Sequence, residues 1–267
     1  MHSTLVREYR YTPFLTLVWR EIQRFRKVIV QTVAAPIVSS TLYLLIFGVS
    51  LGQSIELSSS FSYLAFLIPG LVMMGCLNNA FQNSSSSIAS SKFSGDLEDY
   101  KVSPLGEQQI VWAVAVGGLV RGLVVAAITF AVGQIFHFVM YEKWLSVAHP
   151  LVLLFFVITG GLAFSMLGLS VAFWARTVDQ LSAVGSFVLL PLIYLGGVFF
   201  SLENLHPFWK ALSKVNPLLY LINGVRYGIL GQSDVSLLGA AAMALATLLL
   251  LNLIALRSLR HGSFTRW

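Results

Sequence analysis

Eleven acidic residues carry all the side-chain carboxylate chemistry available to this 267-residue chain. They are Glu8, Glu21, Glu56, Asp96, Glu98, Asp99, Glu107, Glu142, Asp179, Glu203 and Asp234, and each falls in a loop or tail, outside the middle of any apolar run. Acid–base catalysis needs a carboxylate or histidine held beside the reacting atoms, and a proton-coupled carrier needs ionisable groups buried along its route. Neither pattern occurs in the apolar segments. The five histidines, His2, His137, His149, His206 and His261, are scattered without metal-ligand spacing. There is no G-x-x-x-x-G-K-[ST] phosphate loop, so ATP hydrolysis by that route is excluded. Cys76 stands alone in an apolar run, with no disulfide framework and no zinc spacing, and reads as a packed thiol.

Three groups of residues remain as candidates. The first is Arg121, flanked by Gly118 and Gly122 in an apolar run. The G-x-x-x-G spacing suits close helix packing in lipid. A guanidinium at that depth faces protein or a wet cavity; either it contacts an anionic substrate group, or it snorkels or bonds a backbone carbonyl. The second is the polar segment Asp96, Leu97, Glu98, Asp99, Tyr100, Lys101. Ser94 or Asp96 caps a short helix and Pro104 forces Ser103 out of helical geometry. Leu97, Tyr100 and Lys101 then share a face, an apolar knob ringed by charge that suits docking into a partner's groove, or the segment is simply solvated. The third group, Phe208, Trp209, Asn216, Pro217 and Arg226, lies in a stretch treated below.

These residues must be positioned by elements of a membrane protein. Of the chain, 57% is hydrophobic and 10% charged, against about 25% charged in a soluble domain, and the mean hydropathy is +0.79. Runs at 28–50, 61–83, 108–136, 150–175, 181–200 and 236–256 reach or approach the roughly 20 residues a helix needs to cross about 30 Å of hydrocarbon. Outward-facing barrel strands would alternate instead. The fold class is therefore all-α and polytopic, with six transmembrane helices in a single membrane domain over 1–267. Its parts are a tail and interface helix at 1–27, the spans over 28–256 and a second tail at 257–267.

Residues 8–27 mix Phe14, Leu15, Trp19, Ile22 and Phe25 with Arg10, Arg20, Arg24 and Lys27. That mixture predicts an amphipathic helix in the headgroup layer or an extension of the first span, and it does not resemble a removed signal peptide. The run Ser84–Ser87 with Ser90 and Ser91 reads equally as a linker or as continuing helix. Between the last two spans, Pro217 divides 202–216 from 218–230. Each piece is too short to cross, which fits a re-entrant pair or two surface helices. If the pair lies in the outer leaflet it forms a gate, with Phe208 and Trp209 as an apolar seal and Arg226 as a latch; Glu203 is the nearest acidic candidate for its partner on the N-terminal side.

The isoelectric point of 9.6 does not indicate nucleic acid, because the basic residues cluster at span ends. Twelve of the seventeen Lys and Arg residues lie on the side of the termini, four on the other, and Arg121 within a span. The positive-inside bias predicts cytoplasmic termini.

The stretch Leu195-Gly-Gly-Val-Phe-Phe-Ser201, with Pro207-Phe-Trp209, Asn216-Pro217 and Gly224-Val-Arg-Tyr227, resembles the C-terminal signature of ABC-2 type permeases. The likeness extends through Phe66-Leu-Ile-Pro-Gly-Leu-Val-Met-Met74 and Val120-Arg-Gly122, while the 94–107 loop matches in character more than letter by letter. The resemblance implies a coupling helix in the first cytoplasmic loop and re-entrant helices before the last span. It further implies a bacterial inner-membrane permease, not itself an enzyme, paired with a second permease copy and two copies of a separate ATPase subunit. ATP and Mg²⁺ would belong to that subunit, with no cofactor held by this chain. Export of an amphipathic substrate such as a lipid-linked glycan or drug would run between the permeases. A secondary transporter or channel working without ATP, or a structural membrane protein, is the competing class.

Overall fold

A computed structural model describes residues 12–50, 52, 61–202 and 205–262, though not the side chains of Thr12, Asp99 and Lys101. Among the described residues the chain is helical throughout its regular structure, and six helices are long and apolar enough to cross a membrane. In chain order the elements are α1 (Thr12–Arg26), α2 (Ile29–Ser50), α3 (Tyr63–Ser94), the short α4 (Asp99–Val102), α5 (Glu107–Tyr141), α6 (Pro150–Trp174), α7 (Val178–Leu195), α8 (Pro207–Val215), α9 (Pro217–Leu230) and α10 (Leu237–His261).

Local chemistry sets most of these ends. Ser62 accepts a hydrogen bond from Ala65 N at 3.3 Å to start α3, and Gly95, in the left-handed region at φ 88°, ends it. At 1.5 Å per residue the 32 residues of α3 reach about 48 Å, well beyond the hydrocarbon. The serine run is thus continuous helix and not a linker. The spans at 61–83 and 108–136 run on to Ser94 and Tyr141, and the last begins at Leu237 and runs on to His261. The fifth stops at Leu195, not 200, because Gly196 and Gly197, the latter at φ 85°, turn the chain. At Lys27 and Val28 a turn separates α1 from α2, so α1 is its own helix and not a continuation of the first span.

Helix α3 is the buried axis of the bundle, packed against α5, α6 and α9. Gly118 and Gly122 bring α5 close to α3. A Cβ on Gly122 would sit 2.9 Å from Cys76 O, and one on Gly118 would sit 2.8 Å from Ser84 Oγ and 2.9 Å from Ala80 O. The G-x-x-x-G pair therefore packs α5 onto α3, as small residues do where backbones touch in lipid. Ser84 and Ser165 hydrogen-bond across α3 and α6 at the same level. Helices α2, α7 and α10 lie at the periphery and leave Val38, Phe187 and Leu249 exposed. α9, at about 21 Å, is too short to cross. It nevertheless buries Leu221, Ile222, Val225 and Ile229 against α3, α6 and α10, whereas its neighbour α8 is largely exposed.

Candidate functional site

A cleft of about 980 Å³ is bordered by α1, α2, α3, α5 and α7. In an otherwise apolar bundle its wall is rich in amides and hydroxyls: Gln31 and Thr32 from α2, Asn78, Asn79 and Asn83 from α3, and Thr129 from α5. Two guanidinium groups, Arg24 and Arg121, complete it, and no carboxylate lines it among the described residues.

Arg121 lines the cleft. Among the described residues it makes neither a hydrogen bond nor an ion pair, and its Nε is buried without a partner. Thr32 Oγ1 and both amide atoms of Asn83 are likewise buried and unpaired. Buried polar atoms carry a desolvation cost unless something pairs with them, so this cluster is arranged for water or for a polar guest. An uncompensated cation in such a cleft favours an anion.

Arg24 was not among the sequence candidates. Its Nη2 donates to Asn83 O at 2.5 Å and its Nη1 to Ser86 Oγ at 3.3 Å. Beside it Glu21, 1% exposed, lies 3.6 Å from Arg24 Nε and accepts a hydrogen bond from Ser87 at 2.8 Å. Burial lowers the Arg24 guanidinium from its ordinary value, and the Glu21 carboxylate opposes that shift. The network fastens α1 along α3. Its signal in the sequence was the polar run Asn78-Asn79 through Gln82-Asn83-Ser84 inside a helix otherwise suited to lipid.

The segment Asp96–Val102 sits just beyond α3, and here the structure turns one sequence expectation around. Leu97 and Tyr100 do share a face, but it points into the chain's own core with Leu17, Ile88, Val111 and Phe173. Leu97 is 1% exposed. Arg20 reaches over the Tyr100 ring, 5.1 Å from its centre, and donates to its hydroxyl, and burial raises the Tyr100 phenol above its usual range. The knob is thus an anchor onto α1, because two apolar side chains beside an unfilled intramolecular core pack inward. What faces outward is Asp96, Glu98 and two apolar side chains the spacing did not single out, Phe93 at 70% and Val102 at 84% exposure. The side chains of Asp99 and Lys101 lie outside the described residues.

At the opposite end of the bundle Arg226 is buried. It donates to Gly197 O at 2.8 Å and to Asn223 Oδ1 at 3.3 Å, lies over the Phe66 ring at 3.8 Å, and meets Asp234 at 3.9 Å. Asp234 also accepts from Ser201 Oγ and Leu202 N. The acidic partner is therefore Asp234, eight residues on, brought back by the Gly231 turn at φ 74°; Glu203 lies outside the described residues. Asn216 caps α9 through Leu218 N and donates to Leu192 O at 2.6 Å, and Pro217 is the first residue of that helix. Phe208, 64% exposed, and Trp209 pack edge to face on the surface of α8, so within one chain they seal nothing.

A six-helix bundle with a polar cleft beside its central helix is compatible with several transporter families. The profile of ABC-2 type transporters matches residues 12–230, which takes in α1 through α9. The chain belongs to the ABC-2 type transporter family. The inner membrane transport permease YadH of Escherichia coli strain K12 is 38% identical over 253 residues, covering 94% of this chain and 96% of that protein. Nodulation protein J of Neorhizobium galegae is 26% identical over 253 residues, with 90% and 91% covered, and that of Rhizobium meliloti strain 1021 is 23% identical over 223 residues, with 80% of each covered. This ABC-2 chain thus matches these relatives over four fifths or more of their length. The cleft, the Asp96–Val102 segment and the Arg226 cluster all fall within the shared region or at its edge, Asp234 lying four residues beyond it.

Proposed function

We propose that this chain is the membrane-spanning permease of an ATP-driven exporter in a bacterial inner membrane, working as two permease copies with two copies of a separate ATPase subunit. The observation that carries the reading is Arg121, a cation without an intramolecular partner in a cleft lined by amides and hydroxyls. Such a site suits an amphipathic substrate with an anionic group, such as a lipid-linked glycan, whose apolar part can stay against α2 and α7. The basic residues at the ends of α1, α3 and α10 support a reading in which the termini and the mouth of the cleft are cytoplasmic.

ATP binding in the partner subunits draws them together, and the outward-facing Phe93, Asp96, Glu98 and Val102 receive that motion. Leu97, Tyr100 and the Glu21–Ser87 bond carry it to α1 and α3 together, so one wall of the cleft moves as a unit; packed elements shift between discrete arrangements rather than deforming. ATP and Mg²⁺ belong to the partner, and this chain holds neither.

The test is co-purification with the ATPase and reconstitution in liposomes. Arg121→Gln is expected to weaken the substrate's stimulation of ATP turnover about ten- to hundredfold in apparent affinity, the worth of one charged hydrogen bond, with basal turnover kept. Transport that follows an ion gradient without ATP would overturn the reading in favour of a secondary transporter.

A further inference from the structure

A second cavity, of about 670 Å³, lies away from the cleft, where the end of α6 meets the end of α10. Its wall includes Trp174, Arg176, Ile254, Arg257, Ser258 and His261. Two guanidinium groups, an imidazole and a hydroxyl thus face one hollow, and no carboxylate lines it among the described residues. Arg260, on a neighbouring face of α10, shows the contrast: it is paired with Glu107 at 2.5 Å. Arg176 and Arg257 have no such partner among the described residues. The turn that carries Arg176 is held in place by Lys92, whose Nζ donates to Phe173 O at 3.0 Å and Ala175 O at 2.8 Å, and by Gln180, whose side chain accepts from Arg176 N at 2.8 Å.

Phe173, Trp174 and Ile254 supply the apolar part of the wall, and beside it α10 carries an exposed apolar face. Ile254 lies one turn from Leu250 on the same exposed face of α10, with Leu253 beside them. Trp174 is exposed at the span end, the depth at which indole rings sit in the headgroup layer. Basic pockets between helices at the ends of spans suit an acidic headgroup, with an apolar groove below for its acyl chain.

We propose that this hollow is a binding site for an anionic phospholipid of the surrounding leaflet, its phosphate between Arg176 and Arg257 and one acyl chain along Ile254 and Leu250. The charge without an internal partner, the fixed turn and the adjoining apolar face together select a lipid over a free anion. Bound there, the lipid adds a bridge from the end of α6 to α10, two helices that already pack through Gly262 against Phe173 and through buried Ala255 and Leu259.

Native mass spectrometry of the full chain in detergent, titrated with phosphatidylglycerol or phosphatidylethanolamine, tests this. Phosphatidylglycerol is expected to bind more tightly, and the Arg176→Gln/Arg257→Gln double variant to weaken it about 25-fold, since each basic side chain near an acidic lipid surface contributes about fivefold. Phosphatidylethanolamine binding should not change, and the Arg176→Lys/Arg257→Lys variant should keep most of the preference. Should the glutamine variant not fold, raising salt from about 50 to about 500 mM on the wild type replaces it, weakening the acidic lipid alone. Equal binding of the two lipids, an unaltered preference in a folded glutamine variant or at high salt, or displacement of the lipid by about 10 mM inorganic phosphate would each overturn the proposal, the last by reducing the hollow to a small-anion site.

Discussion

Ser87 of α3 donates a hydrogen bond to the Glu21 carboxylate of α1 at 2.8 Å, and both side chains are buried. A helix that the sequence leaves open as an interface element or an extension of the first span is thereby fixed to the central axis of the bundle.

Replacing Glu21 with Ala removes the counter-charge of Arg24 and leaves Ser87 unpaired. Breaking a buried ion pair costs about 3–5 kcal/mol, while Ser87→Ala, which removes one hydrogen bond to a charge, should cost about 1.5–3 kcal/mol. Thermal unfolding of the purified protein in detergent should rank them in that order, and limited proteolysis should show α1 released first in Glu21→Ala. Equal, negligible effects would mean that α1 is held by its apolar face alone.

Leu97 and Val102 lie five residues apart on opposite sides of one segment, so the same substitution should act differently at each. Leu97→Asp places a carboxylate in the core beside Ile88 and Phe173, at a cost of several kcal/mol, and should lower the yield of folded protein whether or not an ATPase is present. Val102→Asp should leave the unfolding free energy within about 0.5 kcal/mol of wild type and reduce capture of the ATPase. Loss of capture in Leu97→Asp with unchanged stability would reverse the two assignments.

Arg226 and Asp234 meet at 3.9 Å, and through Asp234 the turn after α7 is joined to the turn before α10. Arg226→Gln and Asp234→Asn should each destabilise the fold, and the double variant should cost less than the sum of the two, because each single variant leaves the other charge unpaired and the double variant leaves none. If this clasp holds the outer end closed, Arg226→Gln should also raise basal ATP turnover in the assembled transporter. Additive losses with wild-type turnover would make the cluster a packing feature without a gating role.

The topology has its own check. A reporter active only outside the cytoplasm should work when fused after residues 143 or 205 and stay silent after residue 95, because the basic residues gather at the end that carries the termini. Activity after residue 95 would invert the bundle and place the mouth of the cleft on the other side.

Much of the bundle was legible because the bilayer imposes a length on each apolar run and because Pro breaks helices for local reasons. Pro217 was read from the sequence as a helix boundary and does begin α9, whereas Gly95 and Gly231, which end α3 and α9, were not singled out. The signature Leu195–Ser201 with Gly224–Tyr227 pointed to the family on its own. The cleft was only half legible: Arg121 stood out as a charge in an apolar run, whereas Arg24 and Asn83 looked like ordinary polar residues near a helix end.

The sequence by itself determined the six apolar helices and their order, since these follow from hydrophobic length, while most of their ends were set by the structure. Only the tertiary structure decided which faces meet: Leu97 turned inward while Val102 turned out, Arg226 was matched to Asp234, and Arg24 and Arg121 came to one cleft from positions 97 residues apart. A soluble helix announces its inner face by an apolar stripe. In lipid the solvent is as apolar as the core, so the stripe vanishes and the rotation of each helix is set by small residues in contact and by buried polar partners, which pair across distances that no local pattern records.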